Sequence, residues 1–315
     1  MKHLWSCACF LPLATALTLL LTVASTRAQS PTVPLYPADS RSDTRIADEA
    51  KRMREAGALS RETVLTNQFA RTTCELTLPS ARNNRLSGRE LWAASRAAHV
   101  RVGWNFLCTK CNNWHLNLAG GYALTKDGAV ATCFHVVKTP ANFKEGYLVA
   151  TDEQGRLHAV TEILAGDERT DACIIRTSAR DLKPLPLSTN VFPGDRAFCF
   201  SDPLDQRGYF SDGIVNRFLQ RSRGTGTNAT TATRINVTTD WAPGSSGSAV
   251  LDEFGNAIGH VTTITTLPAT PPASPTSTEK GKTDPARTLI TLHEAVSAKD
   301  VLLLIQKPGK RGSQP

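Results

Sequence analysis

From Val100 onward the chain is written in short apolar runs separated by turn residues. The runs fall at 100–108, 116–125, 129–133, 147–151, 157–164, 172–176, 195–201, 208–219, 233–239, 248–252, 256–264 and 287–292. Each has the length of a strand, and most are too short for a helix. Several breaks announce their own turn chemistry: Lys126-Asp127-Gly128, Gln154-Gly155, Pro193-Gly194-Asp195 and Phe254-Gly255-Asn256. A succession of this kind predicts an all-β sandwich or barrel.

The first hundred residues follow a different period. Ile46, Ala50 and Met53 fall on one side of a helix predicted over 43–58, with Gly57 near its end. Residues 59–85 show no clean period. Ser87 and Glu90 form a capping-box pair that starts a second helix, carried by 91–98. The stretch 29–42 reads as an extended leader, and 267–286, rich in Pro, Thr, Ser and Lys, reads as a long exposed loop. Ser297 caps a closing helix that runs through Ile305.

The extreme N-terminus is a targeting pattern. Lys2 and His3 precede an apolar run over 4–24, and Thr26-Arg27-Ala28 places small residues where a signal peptidase reads them. Cleavage after Ala28 is expected, giving a secreted or periplasmic chain with no stable membrane insertion. Pro12 and the interspersed threonines weigh against a retained anchor. Cleavage removes two bases and no acid, so the formal net charge of +8 falls to +6. That excess is spread along the chain, the basic tail Lys307, Lys310 and Arg311 reads as solvated, and no nucleic-acid motif accompanies it. A hydrophobic fraction of 40% with 20% charged residues excludes both a multi-span membrane protein and a wholly disordered chain. Two of the eight cysteines leave with the signal. Cys74, Cys108, Cys111, Cys133, Cys173 and Cys199 remain, an even number that in an exported chain suggests disulfides.

Three segments carry candidate chemistry. Thr132-Cys133-Phe134-His135-Val136 places a histidine after a strand. Thr170-Asp171-Ala172-Cys173 places an acid immediately before one. Asp240-Trp241-Ala242-Pro243-Gly244-Ser245-Ser246-Gly247-Ser248 places a serine in a glycine-flanked turn. Alone, each has a bland reading as a core histidine, a turn aspartate or a loop. Together, over about residues 98–306, they resemble the trypsin-like serine proteases, nearest to the bacterial exported HtrA-type and glutamyl-endopeptidase-type branch.

The resemblance implies two six-stranded antiparallel β-barrels with a C-terminal helix, preceded here by the helical extension 29–97. The first barrel is expected over about 98–182, the second over about 185–292, the closing helix over 297–306 and a basic tail over 307–315. It further implies a serine endopeptidase acting on protein or peptide substrates without a cofactor, with Ser246 as nucleophile, His135 as base and Asp171 as the acid that orients it. The amides of Gly244 and Ser246 form the oxyanion hole. A protease fold without activity, serving as a binding module, and a zinc-binding protein using Cys108, Cys111 and His115 are the alternatives.

Asp240, six residues before Ser246, falls where trypsin-like enzymes place the base of the specificity pocket, and a buried acid there favours Lys or Arg. Val261 stands where glutamyl endopeptidases carry an acid-reading histidine, with His260 one residue off, so glutamate specificity is disfavoured. Cys133 and Cys173 occupy neighbouring strands of the family fold and are expected to be bonded, with two buried thiols as the other reading. Cys108 and Cys111, followed by His115, invite a zinc reading, but the fourth ligand has no candidate and a local disulfide is favoured.

Overall fold

The computed structural model describes residues 35–36, 41–223, 230–268 and 288–306. All but Leu35 belong to the second of two compact units, Tyr36–Pro315. The signal-like segment 1–28, most of the 267–286 loop and the tail 307–315 lie outside the described residues. Asn228 and Asn236 each begin an Asn-x-Thr glycosylation sequon; Asn228 also lies outside the described residues, whereas Asn236 is described.

The chain enters through helix α1 (Arg41–Glu55), a short α2 (Glu62–Thr66), strand β1 (Cys74–Glu75) and α3 (Gly88–Ala98). Helix α3 begins where the sequence predicts: the Ser87 hydroxyl accepts from the Glu90 amide while the Glu90 carboxylate accepts from the Ser87 amide. Strands β2 (His99–Cys108), β3 (Trp114–Ala123) and β4 (Ala129–Thr132) follow, then a single-turn helix α4 (Phe134–Val137), then β5 (Phe143–Thr151), β6 (Leu157–Asp167) and β7 (Ala172–Thr177). They close into a barrel in the order β2-β3-β4-β7-β6-β5. Every second residue of β2, from Val100 through Val102, Trp104 and Phe106 to Cys108, joins the core with Val130, Leu148, Val160 and Ile175.

The second barrel is built from β8 (Arg196–Ser201), β9 (Tyr209–Arg223), β10 (Thr230–Val237), β11 (Ala249–Leu251), β12 (Ala257–Pro268) and β13 (Thr288–Ser297), in the order β10-β13-β12-β11-β8-β9. Its core gathers Cys199, Val215, Ile235, Val250, Ile258 and Ala295. Helix α5 (Ala298–Leu303), capped by Ser297, and strand β14 (Ile305–Gln306) end the described chain. The fold is therefore the pair of six-stranded barrels expected, with a C-terminal helix. No helix among the described residues is long and apolar enough to cross a membrane.

The described N-terminal segment packs against both barrels. Strand β1 pairs in parallel with β14, Cys74 opposite Ile305. Leu76 and Leu91 join Tyr122, Leu251, Val301 and Leu304 in a core layer shared by both barrels. Ile46 and Leu59 pack on Leu118, Val149 and Ala159 of the first barrel.

A buried ionic knot reinforces this attachment. The Asp202 carboxylate stands 3.3 Å from Arg101, 3.2 Å from Arg207 and 3.5 Å from His99, and Arg101 donates to Asp43 of α1 at 2.6 Å. Arg101 is only 4% exposed.

The expected disulfides are not formed, and all six described cysteines are free thiols. Cys133 and Cys173 do lie on neighbouring segments, since Thr132 is opposite Cys173. The Cys133 thiol instead donates to the Val261 carbonyl at 3.0 Å. Asn236, the other sequon residue, is buried in β10, where its amide donates to the His293 carbonyl and accepts from Arg217.

Candidate active site

Helix α4 is one turn long and buries Phe134, Val136 and Val137, which leaves His135 as the residue of the four that faces solvent. Burial of its neighbours thus fixes where the imidazole points. Its Nδ1 lies 2.9 Å from Asp171 Oδ2, and its own backbone N–H donates to Asp171 Oδ1 at 3.0 Å.

Asp171 sits at the entrance to β7 with a left-handed φ of +59°. A non-glycine residue rarely adopts that conformation, and it persists only where surrounding contacts hold it. Here they do. The Asp171 carbonyl accepts from the Phe134 amide at 3.2 Å, and the carboxylate accepts from the Thr262 hydroxyl at 2.6 Å. Burial favours the neutral acid, but the His135 hydrogen bond and charge, with the Thr262 bond, outweigh it and hold the carboxyl at about 2. Asp171 therefore remains ionised throughout the neutral range.

Ser246 lies in the loop between β10 and β11. Ser245 and Ser248 on either side are fully buried, whereas Ser246 is partly exposed. The loop is tied to both barrels: the Gly120 amide of β3 donates to the Ser246 carbonyl at 2.7 Å, and the Gly247 amide donates to the Val261 carbonyl of β12 at 2.8 Å. Gly244 has φ +100°, and a Cβ there would stand 2.8 Å from the Asp202 carbonyl oxygen, so no other residue fits without a shift. The amides of Ser245 and Ser248 are bonded within the turn. Those of Gly244 and Ser246 make no hydrogen bond among the described residues.

Beneath this surface lies a polar layer that the sequence reading did not assign. His260 is fully buried, with Nε2 3.3 Å from the Asp171 carbonyl oxygen and its ring 6.2 Å from Tyr122. Burial pushes this imidazole down to about 4, against the pull of Asp171. Burial, and then the Asp171 charge, also push the Cys133 thiol far up, so it remains a neutral donor. Only the placement of Thr262 and His260 two residues apart on one strand hints in the sequence that both reach the same acid.

A pH dependence of stability follows. A histidine whose folded pKa lies below its ordinary value of 6.5 binds more protons unfolded than folded. Its contribution is complete above pH 6.5 and is lost as pH falls to about 4, a span worth roughly 3 kcal/mol. Chemical denaturation between pH 7 and 4 should show this loss, and a His260→Met variant should show a flatter profile. Parallel profiles would refute the assignment.

Asp240 departs from its expectation. It is exposed, with its backbone paired to the Ser211 hydroxyl at 3.0 and 3.1 Å, so it is not a buried acid at the floor of a pocket. A solvated carboxylate makes a correspondingly weak charge contact. A cleft of about 590 Å³ opens beside His135 and Asp171, lined by Lys138, Arg169, Arg221 and Thr262 among others.

Among the described residues, two side-chain groups have metal-ligand chemistry: Cys133 with His135 and Asp171, and Cys108 with Cys111 and His115. The first shares its members with the site just described, while the second stands apart on the β2–β3 hairpin.

Residues 120–259 match the sequence profile of the trypsin-like peptidase domain family. Among curated proteins the chain is 23% identical over 148 residues to Protease Do-like 1, chloroplastic, of Arabidopsis thaliana, covering 46% of this chain and 32% of that protein. It is 25% identical over 146 residues to the HhoB protein of Synechocystis sp., covering 46% and 34%. The chain thus spans about a third of the length of these relatives. Among solved structures, a serine endoprotease from Yersinia pestis superposes with a TM-score of 0.43 at 18% identity, covering 57% of this chain and 58% of that one.

Proposed function

We propose, from the match of residues 120–259 to the trypsin-like peptidase domain family, that the chain is an exported serine endopeptidase acting through an acyl-enzyme. The observation that carries this reading is the Asp171 carboxylate held against His135 Nδ1 at 2.9 Å, with Thr262 fixing the same carboxylate from the other side. That contact assigns the Nδ1–H tautomer and leaves Nε2 free to accept a proton.

Ser246 Oγ attacks the substrate carbonyl while His135 Nε2 takes the hydroxyl proton. The amides of Gly244 and Ser246 receive the developing oxyanion, a contribution of roughly 3 kcal/mol per donor in such sites. Collapse breaks the C–N bond, and His135 returns the proton to the leaving amine. Water then repeats the sequence on the acyl-enzyme and releases the acid. Export rests on the signal pattern over residues 1–28 and the expected cleavage after Ala28.

A fluorophosphonate tests the assembled site. The purified mature chain should carry one adduct, located on Ser246 by mass spectrometry and absent from Ser246→Ala. A folded wild-type protein that takes up no label would overturn the enzymatic reading in favour of a protease-fold binding module.

A further inference from the structure

The tip of the β2–β3 hairpin holds a cluster that peptide hydrolysis does not use. Strand β2 ends at Cys108, the chain turns through Thr109-Lys110-Cys111-Asn112-Asn113, and β3 begins at Trp114. The turn is tight and specific. The Asn112 amide donates to the Cys108 carbonyl at 3.0 Å, the Cys108 amide donates to the Asn113 carbonyl at 3.0 Å, and Asn112 adopts a left-handed φ of +55°. Asparagine tolerates that conformation better than most residues.

This path folds the second cysteine back over the first and toward the strand that carries the histidine. Cys111 Sγ lies 3.0 Å from His115 Nε2, and the donor atoms of Cys108, Cys111 and His115 all lie within 4.8 Å of one another. Neither thiol is oxidised. The turn also aims one of its own amides at the inner sulfur: the Lys110 N–H reaches Cys108 Sγ at 3.4 Å.

We propose that Cys108, Cys111 and His115 form a zinc site, with His115 binding through Nε2 and a water completing the tetrahedron. Two thiolates and an imidazole select a soft or borderline ion over magnesium or calcium. Bonds of about 2.3 Å to sulfur and 2.0–2.1 Å to nitrogen place donors about 3.5–3.8 Å apart in a tetrahedron. Reaching that geometry opens the Cys111–His115 contact by about half an ångström and sets Cys108 Sγ, which lies within 4.8 Å of both, at the same spacing. Cys111 and His115 are exposed, so the ion has a path in. Binding releases the two thiol protons and changes no oxidation state. The site lies against the segment that follows α4: the Thr109 amide donates to the Asn142 carbonyl at 2.7 Å, and Lys144 reaches Asn112 at 3.4 Å. Zinc would thereby pin the hairpin tip to the start of β5.

The test uses the whole mature chain isolated from an exporting host. Elemental analysis after dialysis should give one zinc per chain. Cobalt substitution should give the charge-transfer absorption of thiolate-bound tetrahedral Co²⁺. Competition with a chromogenic chelator should show zinc binding at least about tenfold weaker in Cys111→Ser and His115→Ala. Both side chains are exposed, so these variants retain the fold. Because Cys133, His135 and Asp171 form the other metal-capable group, His135→Ala should bind zinc as the wild type does. The proposal is overturned if peptide mapping finds a Cys108–Cys111 disulfide in the isolated chain, if the thiol-reduced chain takes up no zinc, or if Cys111→Ser binds it undiminished.

Discussion

Asp171→Asn is expected to lower kcat by about 10⁴-fold while the fold stays intact. The carboxylate accepts from three donors, the His135 amide, His135 Nδ1 and the Thr262 hydroxyl. An asparagine has one acceptor oxygen and must present its NH₂ to one of them. Facing Nδ1, that group makes the ring nitrogen an acceptor and moves the imidazole proton to Nε2, where no base remains for Ser246. Thr262 and the His135 amide claim the oxygen and drive this orientation. Turnover of a peptide substrate, read beside far-UV circular dichroism, checks the expectation, and a fall of less than tenfold with the fold preserved would contradict it. His158 and Asp152 supply the control, because they too are in contact, at 3.0 Å. Asp152→Asn removes a carboxylate from a histidine far from Ser246 in the chain and should leave turnover unchanged.

Asp202→Ala is expected to be the most destabilising single change outside the cores, at about 3–5 kcal/mol. The carboxylate is the shared counter-ion of Arg101, Arg207 and His99, and its own pKa is driven well below the ordinary carboxylate range: burial opposes ionisation, but His99 and then Arg207 overcome it. Removing it leaves Arg101, which is 4% exposed, with Asp43 as its remaining close counter-ion, and takes the buried carboxylate away from His99 and Arg207. The loss should also reach the candidate site, because the Leu204 amide donates to the Pro243 carbonyl and the Asp202 carbonyl abuts Gly244. Labelling of Ser246 should therefore slow in this variant even under conditions where it is folded. Denaturant titration measures the first effect, and a cost under about 1 kcal/mol would mean that water replaces the carboxylate in the knot.

Much of this architecture is legible from the sequence, for reasons that differ by element. The barrel strands are bounded by turns whose chemistry is local, such as Lys126-Asp127-Gly128, so a single sequence reveals them. The capping box at Ser87 is likewise a contact over three residues. Strand β1 was invisible because its reason for being extended lies at Ile305 and Gln306, not in its own two residues. Helix α4 escaped notice because one turn has no period to detect. At the site, His135 and Asp171 are brought together as their motifs imply, whereas the exposure of Asp240 depends on how β9 passes beside it, through Ser211. The free state of the cysteines was equally hidden, since the acceptor that Cys133 prefers is a backbone carbonyl 128 residues away.

The pairing of Cys74 with Ile305 has a consequence in time. Main-chain bonds link Cys74 and Glu75 to Ile305 and Gln306, so this closure cannot form until the chain has been made through Gln306. The first barrel contains His135 and Asp171 and all six of its strands, and it can assemble early. Ser246 belongs to the later half, whose barrel closes only when β13 arrives between β10 and β12. Under the mechanism proposed above, a chain caught midway through synthesis holds a base without its nucleophile. Hydrolytic competence is then expected to appear last, after the final strand is in place.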